Sequence, residues 1–247
     1  MNFPFFKKKT ILTPDLSCLS VDMHSHLLPG IDDGLKTPEE TVAFMSDLHQ
    51  LGYKKFICTP HVLSGVHNNT PESILAALAI AQKAVSDARI PITIEASAEY
   101  MVDQDFGTYL KNDGQLLPIA GKYILIEMSY VSYSPNLNEV IFDLQIKNYL
   151  PILAHPERYN YFHKKFSAYE DIKDRNVLFQ VNLLSLAGYY GKDVQRVANK
   201  LVEANMVDFI GTDMHHTNHL NAMQGFVRSK DFYDIVDKLA LKNKELL

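Results

Sequence analysis

An apolar stretch ending at Met23 runs into His24-Ser25-His26, and a turn-rich segment then delivers Asp32, Asp33 and Gly34. In an extended chain, residues i and i+2 share a face. His24 and His26 therefore aim two imidazoles at one point where a strand ends. Asp33 lies seven residues beyond His26, on a loop able to curl back to the same place. Two nitrogens and a carboxylate at a strand end suit a transition metal. A chance pair or a packed histidine is the competing reading of H-x-H taken alone, and the later strand ends decide between them.

Apolar runs at 19–23, 53–59, 92–98, 122–126, 150–154, 177–181 and 207–211 read as strands, and helical stretches separate them. Thr37-Pro38-Glu39-Glu40 is a capping box with proline at the first helical position, and Gly52 suits the helix end. Thr70-Pro71-Glu72 opens a second, alanine-rich helix. Ser134-Pro135 predicts a helix to about 148, a further helix covers 193–204, and the tail from Gln224 onward reads as helical. Strands alternating with helices imply a parallel sheet. Seven such units in 247 residues, with no break in composition, fit one closed or nearly closed α/β barrel. A doubly wound open sheet is the alternative, but no G-x-G-x-x-G follows the first strand. The expected organisation is a single domain over 1–247, with residues 1–18 as an N-terminal extension.

Six of the seven strands end in an imidazole or carboxylate: His24 and His26, His61, Glu99, Glu127, His155, and Asp213 with His215. In a barrel, the C-terminal strand ends meet at one mouth. With Asp33, nine candidate ligands would share a cavity. So many charges cannot be buried together without cations, and nine donors exceed what one ion takes. The count suggests two or three metals bridged by carboxylates. The mixed nitrogen and oxygen set favours manganese, iron or zinc over magnesium or calcium.

The motifs His24-Ser25-His26, Thr59-Pro60-His61, Glu99, Glu127, His155-Pro156-Glu157-Arg158 and Asp213-Met214-His215 resemble those of the polymerase and histidinol phosphatase (PHP) superfamily. HSHLLPGIDDG, CTPH, AEY, IEMSY and AHPERY look most like the CpsB/CapC-type, manganese-dependent protein-tyrosine phosphatases of bacterial capsule and exopolysaccharide loci. The likeness runs from about Val21 to His219. It implies a distorted, TIM-like (β/α)7 barrel of the PHP type with three divalent ions, manganese first and iron or zinc as alternatives. By that resemblance His24, His26, Glu99 and Asp213 hold one ion. Glu99, Glu127 and His155 hold a second, and Asp33, His61 and His215 a third. It also implies a phosphotyrosyl substrate, the tail of a bacterial tyrosine kinase governing polysaccharide export. Nearest rivals are a phosphoesterase for a small monoester such as histidinol phosphate, and a metal-bound domain without catalysis.

Ions so placed lower the pKa of a shared water enough to yield hydroxide near neutral pH for in-line attack on phosphorus. Arg158 is the candidate catalytic cation for the phosphoryl oxygens, since a guanidinium fork matches them. Its other reading is a surface ion pair with Glu157 or another acid. Tyr130, Tyr133, Tyr159 and Tyr161 either flank a phosphotyrosine ring or pack loops. Asp32 reads as a turn cap first, with the orienting of a ligand as its other reading. His49, His67 and His163 read as solvated or packed, while His216 and His219 lie near the cluster in sequence, with the support of a ligand as an open reading. Thiol-based tyrosine phosphatases need C-x5-R, and neither Cys18 nor Cys58 opens one.

A net charge of −5 argues against general nucleic-acid binding and against attraction to a membrane. Two distant cysteines fit a reducing cytoplasm, and no segment reaches the roughly 18 apolar residues of a membrane span. Phe3, Phe5, Phe6 and Lys7 to Lys9 read as a frayed or locally packed terminus, with contact to a membrane or partner as the other reading. Oligomeric state is open at this level.

Overall fold

A computed structural model describes residues 13–247; the Phe3–Lys9 patch lies outside them. Nine strand segments occur in the described chain: β1 (Val21–Asp22), β2 (Lys55–Cys58), β3 (His61–Val62), β4 (Thr93–Ala96), β5 (Glu99–Met101), β6 (Tyr123–Glu127), β7 (Leu150–Ala154), β8 (Leu178–Asn182) and β9 (Phe209–Gly211). Every pairing is parallel, in the orders β1-β2-β4 and β3-β5-β6-β7-β8-β9. The two sheets are one wall. The second predicted strand, 53–59, holds β2, and the chain resumes as β3 just past Thr59-Pro60; the third, 92–98, holds β4, and the chain resumes as β5 just past Ser97-Ala98. Bonds from Ser97 N to Cys58 O (2.8 Å) and from Glu99 N to Pro60 O (3.0 Å) carry the ladder across the break. Proline has no N–H to give to a ladder, which accounts for the interruption in the second strand.

The wall closes on itself at its C-terminal end. Ser25 bridges Met214 in parallel. Asp213 N donates to His24 O at 2.8 Å, and His26 N donates to Met214 O at 3.0 Å. The result is a distorted, TIM-like barrel of seven strand units with helices outside. Alternation along the strands sorts their side chains. Val21, Met23, Ile57, Leu125, Ile152 and Phe209 fill the lower interior, whereas Phe56, Cys58, Ile124, Ile126, Phe179 and Val181 pack outward against helices. Gln180, Asn182, Glu99 and Glu127 take up the same inward phase nearer the mouth and are all buried.

The helix Pro38–Gln50 has the expected capping box, Thr37 with Glu40. It buries Phe44, Met45 and Leu48. Helix Pro71–Asp87 buries Ile74, Ala77, Ala81 and Val85, and its small alanines let it lie close to the wall. Two expectations shift. The helix after Ser134-Pro135 begins at Leu137 and ends at Ile146. The tail is not one helix: Thr217–Phe226 and Lys230–Val236 are separate, and a short turn of helix covers Asn243–Leu246. Among the described residues no helix is long and apolar enough to cross a membrane.

Candidate metal centre

The loop after β1 is built around one glycine. A Cβ on Gly34 would fall 2.1 Å from His26 O and 2.6 Å from His26 Cβ, so only glycine lets the chain fold back over His26. That return delivers Asp33 to the mouth and tucks Asp32 beneath His26. Asp32 does more than cap a turn. Its Oδ1 accepts from Gly34 N at 2.9 Å, while Oδ2 lies 2.7 Å from His26 Nδ1 and 3.2 Å from His61 N. Two of the proposed ligands sit in the left-handed region, His155 at φ +34° and Asp213 at φ +49°. Such strain persists only where the surroundings over-determine it, and it gathers at functional sites.

All nine candidate side chains converge on this mouth. Four overlapping groups bring donor atoms within 4.8 Å of one another: His26, Asp33, His61 and His215; His24, His26 and Asp213; His24, Glu99 and His155; and His61, Glu99 and Glu127. Glu99 is the hub. Its Oε1 lies 2.9 Å from His155 Nε2. Its Oε2 lies 3.3 Å from His24 Nε2, 3.4 Å from His26 Nε2 and 3.1 Å from His61 Nδ1. Asp213 Oδ1 lies 3.5, 3.4 and 3.4 Å from His24, His26 and His215. Asp33, its side chain 60% exposed, reaches His61 at 3.5 Å and His215 at 3.4 Å from the outer rim. Glu127 stands 2.8 Å from His61 Nδ1 and 3.9 Å from His155 Nε2.

The donor set fits cations. Glu99 Oε2 is fully buried, yet none of the three facing nitrogens bonds to it in hydrogen-bonding geometry. Within the cluster, imidazoles and carboxylates favour one another's charged forms. Burial opposes charge on His24 and His26, but Glu99 and Asp213 on the one, and Asp32 on the other, outweigh it and hold both above the ordinary imidazole value. Burial and His26 likewise oppose charging His61, yet Glu99 and Glu127 push it up to about 10. Glu99 and Asp213 are held well below the usual carboxylate range: burial acts against this, and the facing imidazoles win. Glu127 is pushed up to about 7 by burial and by the charge of Glu99. Burial lowers His155, incompletely offset by Glu99.

A second layer fixes which nitrogen each histidine presents. His24 Nδ1 meets Gln180 Oε1 at 2.7 Å, leaving Nε2 for the mouth. His215 Nδ1 meets Asp213 O at 2.9 Å with the same effect. Gln180 Nε2 donates to Asn182 Oδ1 at 2.9 Å, and Asn182 Nδ2 donates to Asp213 Oδ2 at 2.7 Å. Glu157 is buried and accepts from Asn182 N at 2.9 Å, so it makes no surface pair with Arg158. Arg158 instead donates to Asp213 Oδ2 at 2.8 Å. Gln180 and Asn182, spaced i, i+2 on β8, escape a search for imidazoles and carboxylates; amides inside an apolar run were the available signal.

The four tyrosines divide. Tyr130 faces the mouth, its hydroxyl 3.3 Å from His155 Nε2. Tyr133 meets Phe162 edge-on at 5.9 Å. Tyr159 is buried, donating to Ala154 O and accepting from Met128 N, and Tyr161 donates to Ser129 O; these two pack the loop after β6. His67 stacks on His61 at 5.5 Å, and His219 Nδ1 accepts from His215 N at 3.4 Å.

The model of the capsular polysaccharide synthesis family CpsB/CapC matches residues 20–247, and the chain belongs to that family. Over 235 residues it is 29% identical to the tyrosine-protein phosphatase YwqE of Bacillus subtilis, covering 92% of this chain and 91% of that protein. One chain from the crystal structures of YwqE from Bacillus subtilis and CpsB from Streptococcus pneumoniae, described as unique metal-dependent tyrosine phosphatases, gives a TM-score of 0.76 at 28% identity, over 92% of this chain and 94% of that one. The lactonase Lmo2620 of Listeria monocytogenes gives 0.55 at 12% identity over 92% and 93%, a likeness of fold alone.

Proposed function

We propose that the chain is a metal-dependent protein-tyrosine phosphatase, one catalytic domain that hydrolyses phosphotyrosine on a protein of capsular polysaccharide synthesis. The observation that carries this reading is the set of four overlapping donor groups, two of which share Glu99 with its unpartnered oxygen, in a family with tyrosine phosphatases among its members. In this reading His24, His26, Glu99 and Asp213 hold one ion, Glu99, Glu127 and His155 a second, and Asp33, His61 and His215 a third. The metal assigned is manganese, with iron or zinc chemically similar. Divalent ions held there supply a nucleophile near neutral pH and neutralise charge on the phosphoryl oxygens.

The protein's own groups do the rest. Gln180, Asp32 and the Asp213 carbonyl keep the Nε2 atoms of His24, His26 and His215 aimed inward. Arg158 spends one N–H on Asp213 and has further donors for phosphoryl oxygens. The buried floor formed by Met23, Leu125, Ile152 and Ala154 keeps water from below. Thiol chemistry has no support: Cys58 is buried and pushed up to about 12, and burial raises Cys18 as well. Two free thiols suit the cytoplasm, where the tail of a bacterial tyrosine kinase is the substrate we assign.

The test is hydrolysis of a phosphotyrosine peptide by wild type and His155→Ala, with and without manganese. Expected are turnover that requires manganese and a loss on the order of a hundredfold or more in the variant. Equal activity in the two proteins overturns the site assignment. Histidinol phosphate turned over in preference to the peptide reassigns the substrate.

A further inference from the structure

The guanidinium of Arg158 is enclosed on three sides. Its carbon lies 4.5 Å from the ring centre of Tyr130 and 4.3 Å from that of Tyr190, and Nη1 bonds to Asp213. The two rings come from distant parts of the chain. Tyr130 sits on the loop after β6. Tyr190 lies in the turn between helices Leu183–Leu186 and Lys192–Glu203, flanked by Gly188 at φ +82° and Gly191 at φ +100°. Its ring is backed edge-on by Tyr189 at 5.1 Å and by His219 at 6.1 Å. The Tyr190 hydroxyl is buried and has no hydrogen-bond partner, so the ring, and not the hydroxyl, is the part the neighbourhood uses.

A long cationic side chain gives up rotamer freedom each time it binds an anion. Sandwiched between two aromatic faces, it has given up that freedom beforehand. A guanidinium largely withdrawn from water also needs more than a share of Asp213, whose other oxygen is committed to imidazoles, and aromatic faces supply the remainder. With a side chain 22% exposed, Arg158 keeps an edge open to the mouth.

We propose that Tyr190 is a positioning residue for phosphate recognition: with Tyr130 it holds the Arg158 guanidinium in the orientation that receives phosphoryl oxygens. This rests on the phosphatase reading above. The test uses manganese-loaded protein, para-nitrophenyl phosphate as substrate and inorganic phosphate as competitor. Tyr190→Leu lowers kcat/KM on the order of tenfold, the scale of a partly desolvated cation–π contact, chiefly through KM. The inhibition constant of phosphate rises in parallel, and manganese content stays that of wild type. Tyr190→Phe keeps the ring and restores kcat/KM to within about twofold of wild type. In an Arg158→Ala background, Tyr190→Leu adds no further loss. Should Tyr190→Leu not fold, Tyr130→Leu on its exposed loop repeats the measurement from the other face. The proposal is overturned if Tyr190→Leu behaves as wild type, if Tyr190→Phe is equally impaired, or if the loss persists without Arg158. A wild type that hydrolyses no aryl phosphate sinks the phosphatase reading instead, and calorimetric phosphate affinity of wild type against Tyr190→Leu still judges the clamp.

Discussion

His24 can serve a cation only through Nε2, and a neutral amide decides that. Gln180 Oε1 accepts a hydrogen bond from His24 Nδ1 at 2.7 Å, in a place where a carboxylate would add another charge to a crowded site. Gln180→Leu should remove this restraint with little change in volume. We expect manganese affinity to fall on the order of tenfold to a hundredfold, measured by competition with a chromogenic chelator; an unchanged affinity would reject the role given to Gln180. Cysteine supplies a second check at this scale. With Cys58 buried and its thiol pushed up to about 12, iodoacetamide should leave hydrolysis intact while a chelator abolishes it. The imidazoles and carboxylates were legible because each follows an apolar run and marks a strand end. Gln180, Asn182 and Tyr190 were not. An amide or a tyrosine acquires a role only when strand phase and turn geometry say which way it faces, and F-Q-V-N does not announce that phase.

At the scale of elements, the apolar runs located all seven strand units, since parallel strands buried on both faces read as unbroken hydrophobic stretches. The resumption of two of these strands as β3 and β5, past their ends at Thr59 and Ala98, was hidden, because two or three residues past a break are too few to show a strand pattern. The seam between β1 and β9 depends on a contact 190 residues apart in sequence: Asp22 accepts from Thr212 N at 3.0 Å and from Thr212 Oγ1 at 2.6 Å. Burial raises Asp22 to about 6 from an ordinary 3.8, more than the Thr212 bonds lower it. A carboxyl whose folded pKa lies above its unfolded value binds more protons in the fold. Its contribution is therefore fully present below pH 3.8 and is lost as pH rises to about 6. Asp22→Asn keeps an acceptor for Thr212 N and removes the charge. In chelator, the variant should match wild type near pH 4 and exceed it at pH 7.5 by up to about 3 kcal/mol, read from urea melts. A wild type that gains on the variant as pH rises would contradict the assignment.

For the molecule as a whole, the barrel is closed in different ways at its two ends. At the mouth, β1 and β9 are joined by backbone bonds around Ser25 and Met214. Lower down the two strands do not pair, and Asn243 from the final turn fills the gap. Its Oδ1 accepts from Ile210 N at 3.0 Å, and its Nδ2 donates to Val21 O at 3.0 Å and Ile210 O at 2.7 Å. One side-chain amide thus stands in for a missing peptide group, and Leu246 beside it packs onto the inner core. The sequence reads as an undistinguished helical tail here, because a lone Asn carries no periodic signal. Asn243→Ala leaves three buried backbone groups unpaired, at a cost of about 2–4 kcal/mol, so melting should fall on the order of 5–10 °C for a chain of this size. The same seam sets His24 and His26 against Asp213 and His215. Loosening it should therefore weaken manganese binding as well, although Asn243 lies at the opposite end of the barrel from the mouth. Calorimetry with and without manganese separates the two effects. If closure aligns the ligands, the metal-induced rise in Tm is smaller in Asn243→Ala than in wild type; an equal rise means that the base of the barrel and its mouth are energetically independent.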